Sequence, residues 1–189
     1  MKNKLVLLAI TALFILSSFL SNINCSAAVM PTYSELLTST LSSPSNSKLI
    51  GVEAAKTDTE LTLGDMLTYA IQDEYLAKTK YSLVVEKFRE QRPFINIISA
   101  EVTHINYLTP LFTKYNIVLP ADTSKEYIEE PSTIKESLEA GVQGEIENIA
   151  MYERFLKQDI PSDIKTVFTT LKNASQNHLN AFQRALTFY

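Results

Sequence analysis

Residues 62–189 carry four long segments in which apolar side chains recur every three or four positions, and each apolar stripe is interrupted near its middle by an ionisable residue. The first stripe is Leu63, Met66/Leu67, Ala70, Glu74, Ala77, Tyr81, Val84/Val85 and Phe88. The second is Ile97/Ile98, Glu101, His104/Ile105, Leu108, Leu111/Phe112 and Tyr115; the third is Ile134, Leu138, Gly141/Val142, Glu145, Asn148/Ile149, Tyr152 and Phe155/Leu156. The fourth runs Ile164, Val167/Phe168, Leu171, Ala174/Ser175, His178, Ala181/Phe182, Ala185 and Tyr189. A period near 3.6 over such lengths predicts amphipathic helices whose apolar sides must be buried.

Local signals bound these helices. Thr62 and Asp65 have the spacing of an N-terminal cap, as do Thr133 and Glu136. Pro93 suits a first-turn position, and Pro110, with apolar spacing continuing on both sides, predicts a kink within the second helix rather than an early end. The connections read short, long, short: Glu90 to Pro93, then Asn116 to Pro131, then Gln158 to Pro161. A long crossover between helices two and three distinguishes ferritin-like topology from a simple up-down bundle. The expected fold is all-α, a four-helix ferritin-like bundle over residues 62–189, large enough to bury one core.

The remainder of the chain reads differently. Lys2 and Lys4 precede an apolar run from Leu5 to Leu20 that closes with small residues up to Ala28, which predicts a signal peptide over residues 1–28 and a secreted or periplasmic protein. An uncleaved N-terminal anchor and a lipoprotein acylated at Cys25 are the alternatives. Cys25 is the only cysteine, so the processed chain would have no disulfide. Residues 29–61, rich in Ser, Thr, Pro and Asn, are expected to form a flexible lead-in with one short helical turn at Tyr33 to Leu37. Removal of residues 1–28 takes away two lysines and no acid, moving the formal charge from −4 to −6. An acidic chain without a basic run supports neither nucleic-acid binding nor attachment to anionic lipid, and no membrane span is expected after the signal.

The interruptions are Glu74, then Glu101 with His104, then Glu145, then His178, and these are the only two histidines in the chain. Residues three apart on a helix share a face, so Glu101 and His104 can aim at one point. Buried ionisable groups without partners cost several kcal/mol each, and a cation is one partner that satisfies carboxylate and imidazole together. Tyr81 follows Glu74 by seven residues and Tyr152 follows Glu145 by seven, two turns along the same face. Each hydroxyl could therefore bond the carboxylate of the opposite half, as in a two-helix unit used twice around a pseudo-twofold axis. A metal-free network in which Glu101 and Glu145 pair with the two histidines is the competing reading.

With this pattern in view, the chain resembles the ferritin-like superfamily, whose di-iron members place Glu, Glu-x-x-His, Glu and Glu-x-x-His on successive helices. The stretches Glu74-Tyr-Leu-Ala77 with Tyr81, Ser99-Ala-Glu-Val-Thr-His104 and Ser175-Gln-Asn-His-Leu-Asn-Ala-Phe182 are similar to an uncharacterised member family, domain of unknown function 2202. The resemblance implies that Glu74, Glu101, His104, Glu145 and His178 are metal ligands; Tyr81 and Tyr152, by their spacing, and Asn148 and Ser175, by their places beside the ligand positions, are the candidate supporting residues. It also implies metal oxidation, oxygen or peroxide chemistry, or metal sequestration.

Ser175 departs from the pattern, which has a carboxylate three residues before the last histidine. Three carboxylates then face the +4 charge of two divalent ions. A mononuclear site, a weakly held second ion and a hydroxide or water bridge are all open, and the amide oxygen of Asn148 is an additional donor. Mixed carboxylate and imidazole ligation suits Fe or Mn, one or two ions, with Zn a third candidate. The rival to a redox protein is a helical scaffold or interaction domain that keeps the fold without the reaction.

Overall fold

The structure, a computed structural model, describes residues 49–89 and 91–189. The expected signal segment 1–28, with Cys25, and the turn at Tyr33 to Leu37 lie outside the described residues. Five α-helices follow in order: α1 (Gly51–Thr57), α2 (Leu63–Phe88), α3 (Phe94–Lys114), α4 (Ile134–Phe155) and α5 (Ser162–Leu186), with a 3-10 turn at Ser124–Glu126. No strand occurs among the described residues. No helix among them is long and apolar enough to cross a membrane.

Helices α2 to α5 are the four read from the sequence. Thr62 caps α2 as anticipated: its Oγ1 accepts from Asp65 N at 3.2 Å while its own N–H donates to Asp65 Oδ2 at 3.0 Å. Thr133 caps α4 by accepting from Glu136 N. Helix α3 runs on through Pro110 to Lys114. Short connections join α2 to α3 and α4 to α5, and these two pairs share the most extensive packing. Residues 115–133 cross between the pairs. They are tied to α2 where Thr79 Oγ1 meets Ser124 Oγ at 2.7 Å and Lys78 Nζ reaches Asp122 Oδ2 at 2.8 Å.

The last part of the expected lead-in is instead the docked helix α1, which packs on α2 and α4 and buries Ile50, Ala54 and Ala55. Seven residues are too few to display a helical period, and what holds them is distant in sequence. Gly51 N donates to Gln72 Oε1 and Val52 N to Asp73 Oδ1, each at 3.1 Å. Gly51 has φ +58°, and a Cβ there would lie 2.8 Å from Asp73 Oδ1, so only glycine starts this helix without strain. At the other end the Arg154 guanidinium donates to the carbonyls of Ala55 and Asp58. One further expectation fails at the level of a single residue: Tyr189 is exposed, because α5 ends at Leu186.

The core divides in two along the bundle. Leu67, Leu108, Tyr152, Phe155 and Phe168 lead one apolar cluster, and Tyr81, Phe94, Leu138 and Phe182 lead the other. The interrupting residues of all four stripes fall between them in sequence, so the two clusters shield a polar middle from both ends.

Two predictions concern this frame. In Gly141→Ala the new Cβ would meet the Phe182 ring at 2.9–3.0 Å, with Phe182 already held against Tyr81 and Phe94. A loss of about 1–3 kcal/mol is expected from overpacking, read by urea denaturation. Asp163, bonded to Lys114 Nζ and Tyr115 Oη at 2.7 Å each, ties α5 to α3, and these two partners lower its pKa to about 2. A depressed carboxylate stabilises above its unfolded pKa and stops doing so as pH falls through the folded value. The stability gap between the parent chain and Asp163→Asn should therefore be present at pH 6 and close between about pH 4 and pH 2.

Candidate metal centre

All five candidate ligands are buried and come together in the middle of the bundle. Glu74 comes from α2, Glu101 and His104 from α3, Glu145 from α4 and His178 from α5. Glu74, Glu101 and His104 each offer one donor atom within 4.8 Å of the other two, and Glu101, Glu145 and His178 do the same. Glu101 belongs to both groups. Its Oε2 lies 2.9 Å from His104 Nδ1, and its Oε1 lies 3.3 Å from His178 Nδ1. One carboxylate thus presents one oxygen to each half of the site, and the two imidazole rings stack at 5.6 Å between centroids.

The tyrosines cross between halves as the seven-residue spacing anticipates. Tyr81 Oη donates to Glu145 Oε1 at 2.9 Å, and Tyr152 Oη donates to Glu74 Oε1 at 2.6 Å. The other oxygen of Glu74, Oε2, lies 2.9 Å from His104 Nδ1, while Glu145 Oε1 serves both Tyr81 and, at 3.6 Å, His178 Nδ1. Burial, with the neighbouring carboxylates, holds both phenols well above their ordinary pKa, so they remain donors.

Electrostatics show how unevenly the charges are satisfied. Burial and the nearby Glu101 charge push Glu74 up to about 7. Burial also raises Asp73, to about 6, and Glu145. Burial acts to raise Glu101 too, but the two histidines overcome it and hold this carboxylate below its usual range. Burial opposes a charged imidazole, yet the paired carboxylates hold His104 at about 10 and His178 at about 9. The His104 nitrogen has close partners. His178 Nδ1 has none: it is buried without a hydrogen bond, 3.3 Å from Glu101 Oε1 and 3.6 Å from Glu145 Oε1. An orphaned ring nitrogen facing two carboxylate oxygens is the environment a divalent cation would complete.

Ser175 and Asn148 form a separate chain beside the five. Ser175 Oγ donates to Asn148 Oδ1 at 2.7 Å, so the amide oxygen considered as a donor already carries a hydroxyl. Asn148 Nδ2 in turn donates to Asp73 Oδ2 at 2.7 Å. Asp73, which also accepts from Val52 N, is the buried acid that the sequence reading missed. Its signal was available, since Met66, Ala70, Asp73 and Ala77 also follow helical spacing; Glu74 beside it drew the assignment.

The model of the rubrerythrin family matches residues 65–186. The chain is 29% identical over 133 residues to the uncharacterized protein MJ0754 of Methanocaldococcus jannaschii, covering 62% of this chain and 71% of that protein. A crystal structure of the hypothetical protein MJ0754, given there as from Methanococcus jannaschii, superposes with a TM-score of 0.62 at 26% identity, over 70% of this chain and 85% of that one.

Removing the Tyr152 hydroxyl isolates one of these bonds. Tyr152→Phe leaves Glu74 Oε1 without its donor in a buried setting, and should cost about 1–3 kcal/mol in urea unfolding without loss of helical circular dichroism.

Proposed function

From the premise that the chain belongs to the rubrerythrin family, we propose that it binds two transition-metal ions, Fe or Mn ahead of Zn, one in each donor group with Glu101 shared between them. Glu74 and His104 would hold one ion and Glu145 and His178 the other. The single observation that carries this reading is the buried, unbonded His178 Nδ1 beside two carboxylate oxygens. The donor chemistry agrees: each group offers two carboxylate oxygens and one imidazole nitrogen, a set suited to Fe or Mn. Two divalent cations also offset three buried carboxylates that two imidazoles alone cannot neutralise.

Bound there, Fe or Mn would supply one-electron redox chemistry, in keeping with metal oxidation, oxygen or peroxide chemistry, or sequestration. The chain's own residues orient and shield. Tyr81 and Tyr152 fix the outer carboxylates, and the two apolar clusters keep water from the ends of the site. The closer placement with domain of unknown function 2202 rests on the three quoted stretches, and export rests on the charged and apolar pattern of residues 1–28; both belong to the same proposal.

The two 2.9 Å contacts of His104 favour one other reading, a metal-free bundle held by a Glu74–His104–Glu101 ion pair. Thermal melts separate the two. Excess Fe(II) under anaerobic conditions, or Mn(II), should raise the midpoint by several degrees, and His104→Ala should abolish most of that rise. Coincident melts with and without metal would favour the ion-paired scaffold.

A further inference from the structure

The five candidate ligands do not close the site on every side. A cavity of about 270 Å³ is lined by Glu74, Glu101 and Glu145 but by neither histidine, so it reaches the centre from its carboxylate side. Three further acids, Glu53, Asp73 and Glu147, line the same cavity against the single ammonium of Lys80, whose charge acts on Asp73 and Glu147. These carboxylates are graded by depth. The Glu53 side chain is 56% exposed and that of Glu147 26%, whereas Asp73 is 8% exposed and the three candidate ligands at most 3%. Acids therefore line the way from solvent to the centre.

Two observations independent of that gradient point to a cation as the occupant. At the outer end an ammonium already sits between two of the acids: Lys56 Nζ lies 2.7 Å from Glu53 Oε1 and 3.0 Å from Glu147 Oε1, bridging α1 to α4. At the inner end His178 Nδ1, buried and without a hydrogen bond, faces Glu101 Oε1 and Glu145 Oε1, and both of those residues line the cavity. Between the two ends, Ile50, Val52, Leu76 and Ile128 share the wall. A cleft of one charge sign with such low-dielectric walls concentrates counter-ions and raises their association rate. The volume corresponds to roughly nine waters at about 30 Å³ each, enough for a divalent ion that arrives with a first shell of about six waters.

We propose that this cavity is the entry route of divalent cations to the metal centre, an inference that rests on the metal reading above. Glu53 and Glu147 form its mouth, Asp73 stands beyond them, and Glu74, Glu101 and Glu145 are its floor. Both Asp73 oxygens already accept hydrogen bonds, from Val52 N and Asn148 Nδ2, so this acid contributes charge along the path without holding the ion back. Lys80 in the wall offsets part of the attraction.

Stopped-flow mixing of the full chain with Co(II) tests this, Co(II) standing in for the native ion because its visible absorption reports its binding. Uptake by the parent chain should be second order and should slow as ionic strength rises. Glu53→Gln with Glu147→Gln should slow uptake about tenfold at low salt and flatten its salt dependence, at unchanged final Co(II) content and spectrum. Glu139→Gln with Glu153→Gln removes the same charge from exposed α4 positions outside the cavity and should leave the rate within about twofold of the parent. Lys80→Gln should act in the opposite sense and speed uptake about threefold. Equal slowing by the two glutamine pairs, or a rate indifferent to Lys80 and to salt, overturns the entry route and leaves the metal centre standing. So does loss of Co(II) at equilibrium from the Glu53, Glu147 variant, which would make those acids ligands. Failure of the parent chain to take up Co(II) at all overturns the metal reading itself.

Discussion

Three glutamates inside a helical bundle create the constraint that orders the rest of the molecule. A buried carboxylate without partners is costly by several kcal/mol, yet Glu74, Glu101 and Glu145 are each at most 3% exposed. The structure meets this cost with two imidazoles, two crossing tyrosines and an arrangement that makes Glu101 common to both halves. Those partners leave a remainder. Glu74 and Glu145 are held up by burial, and His178 Nδ1 is left without a hydrogen bond. Such a remainder is what a cation would resolve, and it is the basis of the proposed metal centre.

The bundle serves this site by symmetry. Each half contributes a glutamate followed two turns later by a tyrosine, and each tyrosine bonds the other half's glutamate. Neither helix pair therefore has a complete site alone, which couples docking of the pairs to assembly of the donor groups. The apolar clusters above and below supply the burial that makes the polar middle tolerable, while Gly141 lets α4 approach the Phe182 ring closely. The consequence is a site precise at its ends and open along one side, where α1 and the crossover form its outer wall.

Much of this was legible in the sequence because it depends on period. The stripes of α2 to α5, the caps at Thr62 and Thr133, the crossover and the convergence of Glu74, Glu101, His104, Glu145 and His178 all follow from residues three, four or seven apart. Contacts made outside the repeating stripes were not legible. Helix α1 is fixed by Gln72, Asp73 and Arg154, and no local signal in residues 51–57 shows those partners. Asp73 escaped notice because an adjacent acid occupied the same stripe. Ser175 was visible as a missing carboxylate, but its bond to Asn148, and so the Asp73 chain and the open wall, required coordinates.

Anomalous diffraction at the metal edge, from crystals of the full chain grown with Fe(II) or Mn(II), tests the central claim most directly. The account predicts two peaks within the bundle, one on either side of Glu101, with His104 and His178 each facing one of them. A map with no peak there, and His178 Nδ1 bonded instead to a glutamate oxygen, would contradict it.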